Sequence, residues 1–266
     1  MFDLTKLPEK IASRIAGLTW RCDSVGMSGS TILLFDKMVL KIEKTSRSLG
    51  NEQSVLRWLD GKLPVPKTIE TETQDGYHFL LMSKLSGEMA CSDNCLQNME
   101  DTVRALAQGL KMLWQIDIAD CPCSNGVLEK LRQAKYRIEN NLVDMDDFQP
   151  ETFTSDRFAD IPSLYSYLDQ NRPKEDFVFS HGDFCLPNVF VSGCDITGFL
   201  DWGAGGIADR WQDIALCVRS LRHNYMEYAV YDETEYQKYK RLLFKELDME
   251  PDEEKIRYYI LLDELF

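Results

Sequence analysis

The sequence predicts an α+β fold of two lobes, a small antiparallel sheet with one internal helix followed by a larger, mainly helical lobe. Three observations predict it. Short β-prone runs crowd into the first 86 or so residues, helical periodicity dominates from about Asp93 onward, and strand-like runs return only between Phe177 and Asp201. Strands and helices segregated along a chain give an α+β architecture, so an N-terminal lobe over 1–86 and a C-terminal lobe over 87–266 are expected. The cleft between them is expected near Ser83 to Gly87.

Taken in order, Leu4 to Leu18 reads as an amphipathic helix, and strands follow around Arg21 to Val25, Thr31 to Phe35 and Val39 to Ile42. A helix over about Asn51 to Leu59 ends at Gly61, and Pro64 and Pro66 forbid its continuation. Lys67 to Thr71 and Tyr77 to Met82 complete the sheet across an Asp75-Gly76 turn. The second lobe has helical runs at Met99 to Ile116, Val127 to Leu142 and Ser163 to Gln170. The central strands FVFSHG, NVFVS and TGFLD then give way to helices over Arg210 to Leu221, Glu233 to Leu247 and Asp252 to Phe266.

The composition narrows the class. With 44% hydrophobic and 28% charged residues the 266-residue chain is an ordinary globular one. It lacks a run of about 20 apolar residues and any signal-peptide pattern, so a cytoplasmic protein with no membrane partner is expected. The eight cysteines show neither a secreted framework nor paired CxxC spacing, and reduced thiols are expected. A net charge of -14 repels phosphate polymers, which argues against nucleic acid; simple solubility explains such a charge, and a cationic small-molecule partner is its functional reading. A monomer or weak dimer is the expected state.

The chemistry concentrates in Ser180 to Asn188, Ser-His-Gly-Asp-Phe-Cys-Leu-Pro-Asn. Asp183 directly follows a strand, Asn188 comes five residues later, and another strand delivers Asp201 before a Trp-Gly turn. Phosphoryl transfer needs an acceptor for a hydroxyl proton and hard oxygen ligands for magnesium, and this set supplies both. A lone His-Gly-Asp would be only a turn, but the full order and spacing are those of kinase catalytic and metal loops. His181 is expected to pack beneath the loop rather than act as base.

A kinase also needs a phosphate-contacting lysine on a strand and an acid to hold it. Lys41, in Val-Leu-Lys-Ile, and Glu52, opening a helix, fit by their order relative to Asp183 and Asp201. Gly26-Met27-Ser28-Gly29-Ser30 lies ahead of Lys41 and could turn backbone donors toward a triphosphate, although it matches no nucleotide motif by itself.

With these motifs in place, the chain resembles the aminoglycoside 3'-phosphotransferases, antibiotic-resistance kinases with a protein-kinase-like fold. The resemblance spans nearly the whole length. It includes the Gly-Met-Ser loop at Gly26, Trp-Leu-Asp-Gly-Lys-Leu-Pro-Val-Pro from Trp58, Leu-Leu-Met-Ser at Leu80 and Ile-Asp-Ile-Ala-Asp-Cys-Pro at Ile116. His-Gly-Asp with Asn188, Ala-Asp-Arg-Trp-Gln-Asp-Ile-Ala from Ala208 and the terminal Tyr-Tyr-Ile-Leu-Leu-Asp-Glu-Leu-Phe extend it.

The resemblance implies ATP, or alternatively GTP, with magnesium as cofactors. It implies that Ser28, Gly29 and Ser30 cover the phosphates while Lys41 contacts them and pairs with Glu52. The adenine would lie beside Met82 and meet the backbone of Ser83 and Leu85. Asp183 would be the base, Asn188 and Asp201 the magnesium ligands, and Asp263, Glu264 and the Phe266 carboxylate the partners of an aminoglycoside's ammonium groups. Three departures fall on the acceptor side: Ala204 where relatives carry arginine, His223 where an acid is often found, and Leu186 where some carry an acid. A kinase for another hydroxylated amine or sugar-like acceptor, and a nucleotide-binding module without turnover, stay open as alternatives.

Overall fold

A computed structural model describes residues 2–22, 30–45, 47–145, 148–149, 151–154, 158–228 and 232–266, with side chains omitted for 47–50. A 3-10 turn at Leu4–Lys6 leads to Pro8, and α1 runs only from Glu9–Ile15. The single helix expected from Leu4 to Leu18 is therefore broken, because Pro8 lacks a backbone N–H to continue the first turn and begins a new helix instead. Ile11 on α1 is fully buried among Leu33, Phe35, Leu40, Ile42, Phe79 and Leu81, which seats the helix on one face of the sheet. Burying that one side chain stabilises by about 1.5–3 kcal/mol.

The sheet has five antiparallel strands in the order β1-β2-β3-β5-β4, with β1 at Arg21–Cys22, β2 at Thr31–Leu34, β3 at Met38–Lys44, β4 at Thr68–Gln74 and β5 at Tyr77–Ser83. Side chains alternate faces along β3, so Leu40 and Ile42 join the core under α1 while Lys41 and Glu43 point to the opposite side. In register with them on β5 are Leu80 and His78. Helix α2 (Arg47–Leu59) covers that second face with Val55, Leu56 and Leu59, all buried.

The chain then leaves the sheet through Gly87, whose φ of +85° and close approach to Val191 admit no side chain, since a Cβ there would lie 2.4 Å from the Val191 carbonyl oxygen. Helices α3 (Asp93–Gln97), α4 (Met99–Trp114), α5 (Val127–Glu139) and α6 (Ile161–Gln170) precede the central strands. Strand β6 (Glu88–Met89) pairs with β8 (Val189–Ser192), which pairs with β9 (Asp195–Phe199), and β7 (Phe177–Ser180) pairs with β10 (Gly206–Asp209). Helices α7 (Arg210–Tyr228), α8 (Glu233–Leu247) and α9 (Glu253–Asp263) close the lobe. One continuous core joins Val55, Leu80 and Met82 of the small lobe to Phe179, Phe199 and Trp202 of the large one, so the lobes meet through packed side chains. Among the described residues no helix is long and apolar enough to cross a membrane.

Candidate functional site

Lys41 is where the two lobes meet electrostatically. Its Nζ donates to Glu52 Oε2 at 3.2 Å and to Asp201 Oδ1 at 3.2 Å, and it forms an ion pair with Glu43 Oε1 at 2.9 Å. Burial works against the ammonium charge, but the carboxylates of Glu52, Asp201 and Glu43 outweigh it and hold Lys41 charged well above its usual range. Glu52 shows the converse: burial pushes its carboxyl up, and the Lys41 charge offsets this only in part. Three acids thus share one cation, and an incoming anion would find the lysine already occupied.

Asp201 itself sits at φ +60°, a left-handed conformation that costs a non-glycine residue energy. Its side chain is 44% exposed, with Oδ2 left over from the contact to Lys41. On the opposite side, β7 ends at Ser180 and the following loop is held from below by Asp213 of α7. Fully buried, Asp213 accepts hydrogen bonds from the backbone N–H of His181 at 2.8 Å and of Gly182 at 2.9 Å. Its burial pushes the carboxyl up, opposed by the His181 ring and those N–H donors. His181 is fully buried and its ring lies 4.4 Å from that of Trp202, so it packs as the sequence suggests and does not face the cleft.

Gly182 is required where it stands. Its φ is +81°, and a Cβ would lie 2.0 Å from the Ala204 carbonyl oxygen, so the loop bearing Asp183 rests directly on the loop that follows Asp201. The Asp183 carboxylate accepts from Asn188 Nδ2 on Oδ2 at 2.8 Å and from the Cys185 thiol on Oδ1 at 3.0 Å. Burial, then the neighbouring Asp183 charge, push the Cys185 thiol far up, so it remains an S–H donor and not a nucleophile. Since the Asn188 amide nitrogen also donates to the Asp183 backbone carbonyl at 3.0 Å, the oxygen it has to offer a cation is Oδ1.

The remaining candidates are distributed around this centre. Ser28 and Gly29 lie outside the described residues, and Ser30 directly precedes β2. Met82 is buried under the cleft. The Ser83 backbone N–H is donated to Lys67 at 2.9 Å, whereas that of Leu85 makes no hydrogen bond among the described residues. Asp263 accepts from Arg219 at 2.6 Å, and burial's opposition to that guanidinium charge is outweighed chiefly by the Asp263 carboxylate. Glu264 is buried and accepts from Thr152 Oγ1 at 2.9 Å and from the Gln149 N–H at 3.2 Å, so it ties those two residues to the end of α9. Arg137 donates to the Leu265 carbonyl at 2.8 Å and to the Phe266 terminus.

The motif-bearing part of this chain, residues 20–248, matches the family model for the phosphotransferase enzyme family. It is 38% identical to an aminoglycoside 3'-phosphotransferase of Enterococcus faecalis, the match covering 99% of this chain and 97% of the relative. The chain belongs to the aminoglycoside 3'-phosphotransferase family.

A further relative and two solved structures agree with this. An aminoglycoside 3'-phosphotransferase of Niallia circulans is 40% identical over 83% of this chain and 79% of its own. The crystal structure of a type VIII aminoglycoside-3'-phosphotransferase superimposes with a TM-score of 0.81 at 27% identity, covering 97% of each chain. That of a Streptomyces rimosus aminoglycoside phosphotransferase with ADP and streptomycin shares the fold, with a TM-score of 0.78 at 20% identity and coverage of 100% and 99%. The α+β, protein-kinase-like two-lobe fold expected from the sequence is the family's fold, and this chain is an enzyme of that family.

Within this family frame, sequence reasoning overlooked Glu43, Asp213 and Arg219. The first could have been found, since residues two apart on a strand share a face. Asp213 lies in the Ala-Asp-Arg-Trp-Gln-Asp stretch that carries the family likeness, but nothing in its spacing announces that it caps a loop 31 and 32 residues earlier. The three departures take different places. Leu186 is fully buried, His223 is exposed beside Glu227 at 3.7 Å, and Ala204 lies against Gly182.

Proposed function

We propose that this chain transfers the γ-phosphoryl group of ATP to a hydroxyl of an aminoglycoside, the 3' hydroxyl being the expected position. The observation that carries the reading is the pairing of Asp183 with Asn188 at 2.8 Å and of Lys41 with Glu52 and Asp201 at 3.2 Å, on two loops that meet where Gly182 rests against Ala204. In this reading residues 1–86 hold the nucleotide and 87–266 supply the acceptor pocket. The relatives are named for aminoglycosides, and the Streptomyces rimosus structure holds ADP and streptomycin. GTP remains a donor that the same groups would accept.

Asp183 takes the acceptor's proton. Its carboxylate is oriented by one donor on each oxygen, Asn188 and Cys185, which fixes its plane and leaves lone pairs for an incoming hydroxyl. Lys41 would exchange part of its carboxylate shell for phosphate oxygens, and Glu52, buried in α2, keeps it from following them out of register.

The residues fit magnesium. Among the described residues no cluster of three or more His, Cys, Asp or Glu forms a protein cage, and magnesium typically takes one or two carboxylates with water and substrate phosphates instead. Asn188 Oδ1 and Asp201 Oδ2 would hold it. When bound, the cation neutralises charge on the phosphate oxygens.

For the acceptor, Asp263, paired with Arg219, and the Phe266 carboxylate, beside Arg137, would meet the ammonium groups. Glu264, whose carboxylate accepts from Gln149 and Thr152, would act by holding those residues in place. The net charge of -14 draws a polycation toward these groups. Expression in an aminoglycoside-sensitive bacterium tests the reading: resistance to 3'-hydroxylated drugs is expected, with loss of protection against drugs lacking that hydroxyl. Uniform sensitivity, with ADP released on a different amine-bearing alcohol, would replace the acceptor while keeping the chemistry.

A further inference from the structure

The loop after Asp201, Trp202-Gly203-Ala204-Gly205-Gly206, has no secondary structure until β10 begins at Gly206, yet its carbonyls are held one by one by side-chain amides. From the small lobe, Asn51 of α2 donates its Nδ2 to the Gly203 carbonyl at 2.6 Å and to the Gly205 carbonyl at 3.2 Å. From the large lobe, Asn125 donates its Nδ2 to the Ala204 carbonyl at 2.8 Å and to the Gly205 carbonyl at 3.1 Å. Val55, one turn along α2, packs on the same loop so closely that a Cβ at Gly205 would lie 3.2 Å from its Cγ1.

The orientation of the Asn51 amide follows from its surroundings. Carbonyl oxygens accept only, so the NH2 group must face Gly203 and Gly205, and the amide oxygen is left to accept from the Cys123 thiol, which it does. Reversing the amide would set oxygen against two carbonyls and break all three contacts.

Asn51 immediately precedes Glu52, so the contacts close a ring: α2 to Lys41 through Glu52, Lys41 to Asp201, Asp201 along its loop to Gly203, and Gly203 back to α2 through Asn51. Of these links only the Lys41 contacts have to change when a nucleotide phosphate arrives. Once Lys41 turns to phosphate, the Asn51 amide is a polar link that still fixes α2 against the Asp201 loop. The loop carrying Asp183 rests on Ala204 through Gly182, so a shift of the Asp201 loop would be felt at both carboxylates.

We propose that Asn51 is a positioning residue for phosphoryl transfer, a latch that ties α2 to the loop after Asp201 and holds Asp201 in register for the magnesium nucleotide. The proposal rests on the reading of Asp201 as a magnesium ligand given above.

The test compares the full-length wild type with Asn51→Leu, which keeps the volume and removes the amide, and Asn51→Ala, which removes both. Binding of a fluorescent ADP derivative is titrated in EDTA and again in excess magnesium, thermal midpoints are recorded, and KM is measured for ATP and for the aminoglycoside. In both variants the tightening of ADP by magnesium is expected to shrink about tenfold, the effect of leaving loop carbonyls without their donor. Binding in EDTA and the KM for the aminoglycoside are expected to stay within about twofold of wild type. Cys123→Ala should show a smaller loss of the same kind, and Cys123→Ser, which keeps a donor for the Asn51 oxygen, should restore the wild-type value. The latch is refuted if both Asn51 variants keep the wild-type gain from magnesium, or if their losses appear equally in EDTA and track a fall in thermal midpoint, as a purely structural role would give. A wild type whose ADP binding gains nothing from magnesium would overturn the metal reading, and the latch with it.

Discussion

Lys41 shows how a residue's chemistry depends on which face of a strand it occupies. The order of Lys41, Glu52, Asp183, Asn188 and Asp201 along the sequence marks them as candidates, because Lys41 stands between apolar neighbours on a strand and the apolar pattern sets the other four beside expected element boundaries. Glu43, Asn51 and Cys185 were not marked, since a lone acid, amide or thiol has many ordinary explanations, and only the contacts distinguish one. His78 carries a residue-scale consequence on the same face of the sheet. It is buried beside Gln53, Thr71 and Thr73, and burial lowers its pKa from the usual 6.5, opposed by the charge of Glu43. The unfolded chain therefore binds the proton more readily than the folded one, so stability is unaffected above about pH 6.5 and falls as pH drops below it. His78→Gln should lessen the drop in thermal midpoint between about pH 7 and about pH 5.5. An unchanged drop would show that His78 is not a source of the acid sensitivity.

Among the elements, the long helices announced themselves by periodicity, and their ends follow from capping: Asp252 accepts from the Lys255 N–H at 3.0 Å, and Asp160 forms a reciprocal box with Ser163. Short elements carried no such signal. Strand β6 has two residues and β10 four, and both exist because a partner strand was already in place. Helix α2 begins at Arg47, ahead of the expected Asn51, since the apolar residues that reveal it lie only in its later turns. β10 and α9 are joined at Asp209, which is fully buried and accepts from Lys255 Nζ at 2.9 Å and Tyr259 OH at 2.8 Å. Removing the cation would strand a buried carboxylate, so Lys255→Met is expected to destabilise by about 3 kcal/mol in urea unfolding. A change below about 0.5 kcal/mol would assign the junction to packing alone.

At the scale of the whole molecule, the proposed function divides the work between the two lobes. The residues proposed for phosphate chemistry are brought together across 160 positions of sequence, from Lys41 to Asp201, over a shared apolar core running from Val55 to Trp202. The acids proposed for the acceptor lie at the end of the terminal helix, held by Arg219, Thr152 and the Gln149 backbone, contacts that no local pattern could reveal. In the proposed reaction Asp183 accepts the proton from the acceptor hydroxyl. Its most direct test is the turnover of Asp183→Asn with ATP, magnesium and an aminoglycoside such as kanamycin, measured by coupled ADP release beside a thermal melt. A fall in kcat of about 10²- to 10⁴-fold with an essentially unchanged melt is predicted, the usual worth of a positioned general base. Turnover within a few-fold of wild type in that folded variant would contradict the account.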